Sequence, residues 1–177
     1  MKKIDKKKGI LFWITGLPGA GKTIIGNLIK NEIEKSYGPT IVVSGDDLRK
    51  IFSLHGYDEI SRNKIAYKYV NFAKLITNKK INLIFATVCM FDRVRDWNRK
   101  NIKNYCEIYI QANIKKIIKM KKKKLYMKTD KNIIGINIKP QLPKKPDIII
   151  NNNFSKKPTV LKNILIRKIK KKIKISK

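Results

Sequence analysis

Ile10-Leu11-Phe12-Trp13-Ile14-Thr15-Gly16-Leu17-Pro18-Gly19-Ala20-Gly21-Lys22-Thr23 is the stretch whose reading decides the fold. Ile10 to Thr15 is a short apolar run ending in a glycine loop, the pattern of a buried strand. Gly16, Leu17, Pro18, Gly19, Ala20, Gly21, Lys22 and Thr23 then match the phosphate-loop pattern Gly-x-x-x-x-Gly-Lys-Thr. Glycines let successive backbone N–H groups turn inward around phosphate oxygens. The helix that follows adds its positive end. Lys22 is placed to reach the β- and γ-phosphates, and the Thr23 hydroxyl to ligate Mg²⁺. An ordinary glycine turn is the bland alternative. It does not account for the strand before the loop and the helical spacing of Ile24, Ile25, Leu28, Ile29 and Ile33 after it.

Working outward, Gly38-Pro39 breaks the chain, and Ile41 to Val43 forms a second strand ending at Ser44-Gly45-Asp46-Asp47. Ile60 to Asn78 predicts a long helix with Ile65, Tyr69, Phe72, Leu75 and Ile76 inward. Ile81 to Val88 is a third strand, Asp92 to Asn101 a helix, Tyr105 to Ile110 a fourth strand and Asp147 to Ile150 a fifth. Strands alternating with helices imply an α/β fold with a parallel five-stranded sheet covered on both faces, three layers in all. That is the P-loop nucleoside triphosphate hydrolase architecture. Ligands in such sheets bind beyond the carboxyl ends of the strands. Asn113 to Lys128 is helical and basic. The division expected is a kinase domain over residues 1–153 and a basic C-terminal helix or tail over residues 154–177, with Leu161, Ile164, Leu165, Ile169 and Ile173 as a candidate apolar stripe.

The chain has 177 residues, 42% of them hydrophobic, enough for one core. Two cysteines, Cys89 and Cys106, fit a reducing compartment rather than a disulfide framework. No stretch approaches the roughly 20 apolar residues that span a bilayer. The expectation is a soluble, cytoplasmic protein without a membrane partner. The net charge of +31 permits a nucleic-acid partner. Joint over-use of Lys, Ile and Asn fits an AT-rich gene as well, and no nucleic-acid motif accompanies the charge.

A phosphate loop specifies a nucleotide, not a reaction. Gly45-Asp46-Asp47-Leu48-Arg49 adds two carboxylates and a guanidinium beside the γ-phosphate position. Asp46 is the candidate for metal or acid–base work. Asp47 is the candidate helix cap. Arg49 has the fork that grips an anionic acceptor. His55 is expected as a solvated loop histidine, Cys89 as a buried small residue, and Arg93 and Arg95, which follow the third strand and could face phosphates, first as a solvated helix face.

These residues together resemble the adenylyl-sulfate kinase family, from about Ile10 to Asn152. The resemblance rests on residues 16–23 and 45–49, Gly56-Tyr57, Arg62, Ala73-Lys74-Leu75, Thr87-Val88-Cys89, Lys124-Leu125-Tyr126, Gly135-Ile136-Asn137 and Pro146-Asp147. It implies transfer of the γ-phosphate of ATP to the 3′-hydroxyl of adenylyl sulfate, with Mg²⁺ held by Thr23 and Asp46. It further implies that Lys22 and Asp46 are catalytic and that Asp46, Arg49, Tyr57, Arg62 and Lys124 bind the acceptor. Tyr57 would stack on its base, and Lys124 to Tyr126 would belong to a lid. The family often forms homodimers.

The chain departs from the family pattern at Ser44, where an aspartate is usual, and at Tyr67, where an anion-gripping arginine is usual. It departs again at Cys89-Met90-Phe91-Asp92, in place of Ser-Pro-aromatic, and at Met120 to Lys124 and Ile133 around the lid. Met90-Phe91-Asp92, Trp97-Asn98-Arg99 and Asn104-Tyr105-Cys106-Glu107 are similar to a branch that includes cytidine diphosphoramidate kinases. Two acceptors therefore stay open, adenylyl sulfate first and cytidine diphosphoramidate second.

Overall fold

The computed structural model describes residues 2–120 and 132–174. In chain order the elements are β1 (Lys2–Lys3), β2 (Leu11–Thr15), α1 (Lys22–Tyr37), β3 (Thr40–Ser44), α2 (Gly45–Ile51) and α3 (Glu59–Asn78). They continue with β4 (Asn82–Ala86), α4 (Asp92–Asn101), β5 (Tyr105–Gln111), α5 (Ile114–Lys119), β6 (Ile148–Asn151), α6 (Pro158–Lys172) and β7 (Ile173–Lys174). The main sheet is parallel, five-stranded and ordered β3-β4-β2-β5-β6. This is the α/β architecture the alternating pattern predicts.

β2 lies at the centre, so all five of its side chains are buried. Phe12 and Ile14 face the layer of α1 and α6. Leu11 and Trp13 face the layer of α3 and α4, where Trp13 meets Phe85 edge-on at 5.0 Å. A strand buried on both faces must be apolar at every position, and this is why Ile10 to Ile14 shows no alternation. At the amino end of the sheet, Asn82 Oδ1 accepts the Ile10 N–H at 2.9 Å. Its Nδ2 donates to the Tyr37 and Gly38 carbonyls at 3.1 and 3.0 Å. One buried amide thus ties β2, α1 and β4 together.

Several boundaries differ from the sequence reading. The strand expected over Ile81 to Val88 covers Asn82–Ala86, and the Thr87 N–H still donates to the Ile14 carbonyl at 2.9 Å before the chain goes on to line the site. The last strand begins at Ile148, since Asp147 spends its carboxylate on the Glu107 N–H at 2.9 Å. Leu75, expected inward on α3, is 56% exposed, and Ala66, Val70 and Ala73 carry the inner face instead. The basic helix expected over Asn113 to Lys128 is described only as Ile114–Lys119. The C-terminal segment forms α6, whose Leu161, Leu165 and Ile169 are in the core beside Ile29 and Ile33 of α1. The pairing of β1 with β7 has no sequence signal.

Candidate active site

Beyond the carboxyl ends of β2, β3 and β4 lies a cavity of about 700 Å³. Its floor at one end is the loop from Pro18 to Ile24. Gly16 has φ 148° and packs so closely on β5 that a Cβ would lie 2.5 Å from the Ile110 carbonyl oxygen. Gly21 ends the loop in the left-handed region, φ 93°, at the N-terminus of α1. Only glycine holds both positions without strain. Lys22 is buried, and its ammonium donates across its own loop to the Leu17 carbonyl at 2.8 Å. Thr23 is exposed to the cavity.

Asp46 and Arg49 reach the cavity from α2. The helix starts there because Ser44 is its N-cap. The Ser44 hydroxyl accepts the Asp47 N–H at 3.1 Å, and the Asp47 carboxylate accepts the Ser44 N–H at 2.7 Å. This capping box satisfies two otherwise orphaned donors. It uses Asp47 for structure and leaves Asp46 facing the cavity. Asp47, the expected cap, is instead the third helical residue of a box whose cap is Ser44. Behind them the Tyr69 hydroxyl donates to the Gly45 carbonyl at 2.8 Å, and burial pushes its pKa up to about 12.

The far end is built around Tyr57, whose ring is 56% exposed. The Arg49 guanidinium lies 4.4 Å from the ring centroid and that of Arg62 lies 5.2 Å away. Arg49 Nη1 donates to the Leu54 and Gly56 carbonyls at 2.9 and 3.0 Å. Arg62 Nε donates to the Tyr57 carbonyl at 2.5 Å, and its Nη2 to the Asn132 carbonyl at 2.9 Å. Burial and then the nearby charge of Arg49 lower the Arg62 pKa. Both arginines therefore shape the 54–57 loop while lining the cavity, a role that a sequence pattern does not reveal. Ile65, Ala66, Cys89, Phe91 and Ile133 complete an apolar wall.

Tyr67, in place of an arginine, is 43% exposed and outside the cavity lining. The expected lid residues Lys124 to Tyr126 lie outside the described residues. His55 is exposed. Cys89 is buried, and desolvation pushes its thiol up to about 12, so it is no thiolate nucleophile. Arg93 is exposed. Arg95, expected on a solvated face with Arg93, is instead 3% exposed and ion-paired to Glu107. The helix-surface reading fails because Glu107 lies on another element. Asn152 is a further site residue that sequence reasoning misses. Its amide donates to the Ala20 carbonyl at 3.0 Å and its oxygen accepts the Phe154 N–H at 3.0 Å, pinning the phosphate loop to the end of β6.

The donor set suits a hard divalent ion carried by phosphates. Thr23 supplies a hydroxyl and Asp46 a carboxylate to one cavity. Among the described residues no trio of His, Cys, Asp or Glu gathers into a cage of its own. No helix among them is long and apolar enough to cross a membrane.

A sequence model described as adenylylsulphate kinase matches residues 8–151. The chain is 33% identical over 168 residues to a cytidine diphosphoramidate kinase of Campylobacter jejuni, covering 93% of this chain and 98% of that one. It is 28% identical to an adenylyl-sulfate kinase of Clostridium acetobutylicum, covering 93% of this chain and 85% of that one. A solved Mycobacterium tuberculosis adenylyl-sulfate kinase, in complex with AMPPNP and adenylyl sulfate, superposes with TM-score 0.81 at 20% identity, covering 92% of this chain and 98% of that one. That likeness establishes the fold. The chain belongs to the adenylylsulphate kinase family and is a kinase-like phosphotransferase.

Proposed function

We infer that this chain transfers the γ-phosphate of ATP to a ribose hydroxyl of an activated nucleotide. The observation that carries the reading is one cavity lined together by the phosphate loop, by the guanidiniums of Arg49 and Arg62, and by Asp46. In that arrangement the loop N–H groups and Lys22 hold the donor phosphates, and Lys22 neutralises charge on the transferred group. The Thr23 hydroxyl and the Asp46 carboxylate would hold Mg²⁺, which supplies charge neutralisation on the phosphates when bound. Asp46 accepts the proton of the attacking hydroxyl. Tyr57 stacks on the acceptor base, while Arg49 and Arg62 use their remaining N–H groups on its phosphates.

Cytidine diphosphoramidate is the acceptor favoured here. Its support is the 33% identity across nearly the whole chain of the Campylobacter jejuni relative. Adenylyl sulfate is the second reading, supported by the family model and by the retained Asp46, Arg49 and Arg62. Purified protein with ATP and Mg²⁺, offered each acceptor separately, decides between them by the phosphorylated product formed. No turnover with either acceptor sinks the reading.

A further inference from the structure

Behind the apolar wall lies a charge cluster that the chemistry above does not use. Arg95, on the first turns of α4, and Glu107, in the middle of β5, are each 3% exposed. Arg95 Nε meets Glu107 Oε1 at 3.2 Å. Its Nη2 donates to the Asp92 carboxylate and, at 2.7 Å, to the Gln141 carbonyl. Glu107 Oε2 accepts from Arg99 Nη2 at 2.6 Å, and Arg99 reaches on to Asp147 at 3.3 Å. Gln141 closes the circuit. Its side chain accepts the Asp92 N–H at 2.6 Å and its own N–H donates to the Met90 carbonyl at 3.2 Å.

Two charges buried this deeply lose much of their hydration, and an apolar pair of similar volume is often no less stable. What the cluster does supply is direction. The side-chain bonds from Arg95 end on Asp92 in the first turn of its own helix, on Glu107 of the strand beneath, and on Gln141, which in turn bonds Met90 of the loop 87–91. Cys89 and Phe91 of that loop are cavity wall, and the Cys89 carbonyl also accepts the Thr15 hydroxyl at 3.3 Å.

We propose that Arg95 is a positioning residue for the acceptor: anchored by Glu107 of β5, it holds Gln141, and through the Gln141–Met90 bond it fixes the Cys89–Phe91 wall against which the acceptor is oriented. The proposal rests on the nucleotide-kinase reading of the cavity. A wall displaced by about an ångström is enough to cost tens-fold or more in rate at a reacting centre. The phosphate loop has a tie of its own, from Asn152 to Ala20, beyond the single Thr15–Cys89 bond, so the effect falls chiefly on one substrate.

The chain carries its own reporter. Cys89 lies in the loop, while Cys106 is fully buried in the other face of the sheet. The experiment labels the native protein with a thiol-reactive disulfide reagent and maps both cysteines by mass spectrometry. It uses Arg95→Met, Arg95→Lys and, in case the first does not fold, Glu107→Gln. Arg95→Met or Glu107→Gln is expected to speed Cys89 labelling about tenfold while leaving Cys106 at the wild-type rate, as local rather than global opening requires. KM for the preferred acceptor, cytidine diphosphoramidate or adenylyl sulfate, is expected to rise about tenfold with KM for ATP within about twofold. Arg95→Lys keeps the charge without the fork and recovers only part of this. Cysteines that respond together, or neither responding, overturn the proposal, as does Cys89 exposure with an unchanged acceptor KM. A wild-type protein that turns over neither acceptor refutes the kinase reading instead, while the labelling still decides whether Arg95 holds the wall.

Discussion

Asp46 and Asp47 are neighbours with different work, and the difference is measurable. Asp47 closes a capping box with Ser44. Asp47→Ala should cost about 1 kcal/mol of stability, read from a denaturant midpoint, with little change in kcat/KM. Asp46→Ala should do the reverse: wild-type stability, and activity lowered about 100-fold or more. Lys22→Ala should remove a similar factor by withdrawing the buried ammonium from the phosphates. Alkaline pH offers another test. The folded-state pKa values of Tyr69 and Cys89 are raised to about 12, above their ordinary 10.0 and 9.0. Both are neutral while protonated, so their contribution is complete below about pH 9 and is lost as pH rises toward 12. Stability should be flat from about pH 7 to 9 and fall above about pH 10, with a shallower fall in Tyr69→Phe.

Among the elements, those specified locally are legible in the amino-acid sequence alone. The β2 strand, the phosphate loop and α1 follow from a continuous run, fixed glycines and helical spacing within one window. α6 is legible as a stripe, and its burial makes a prediction: Leu165→Ala should cost about 2–5 kcal/mol, measured by chemical denaturation. What escapes are residues whose partners are remote in sequence. Asn152 bonds Ala20 across 132 positions and Arg95 bonds Gln141 across 46. A glutamate inside Tyr105-Cys106-Glu107-Ile108 gives no sign of which helix will bring its cation. Likewise, Arg49 and Arg62 can be named as anion-binding types, but not as the braces of the 54–57 loop, because carbonyl acceptors leave no mark in a sequence.

Taken whole, the molecule carries +31, so an anionic nucleotide approaches through a strongly attractive field. That field is screened over about 10 Å at 0.1 M salt. Raising the salt from low to high should lower kcat/KM about tenfold and leave kcat nearly unchanged, in steady-state assays across an ionic-strength series. The layered arrangement has one more consequence. Trp13 is sealed in the central strand against Phe85, whereas Trp97 is half-buried on α4 with the Lys74 ammonium 5.6 Å from its ring. The two indoles therefore give the chain two optical channels, one emitting blue from the interior and one closer to solvent. Global melting should red-shift both, while a loosened α4 should change the quenching of Trp97 first, since Trp13 is also covered by α3 and Phe85.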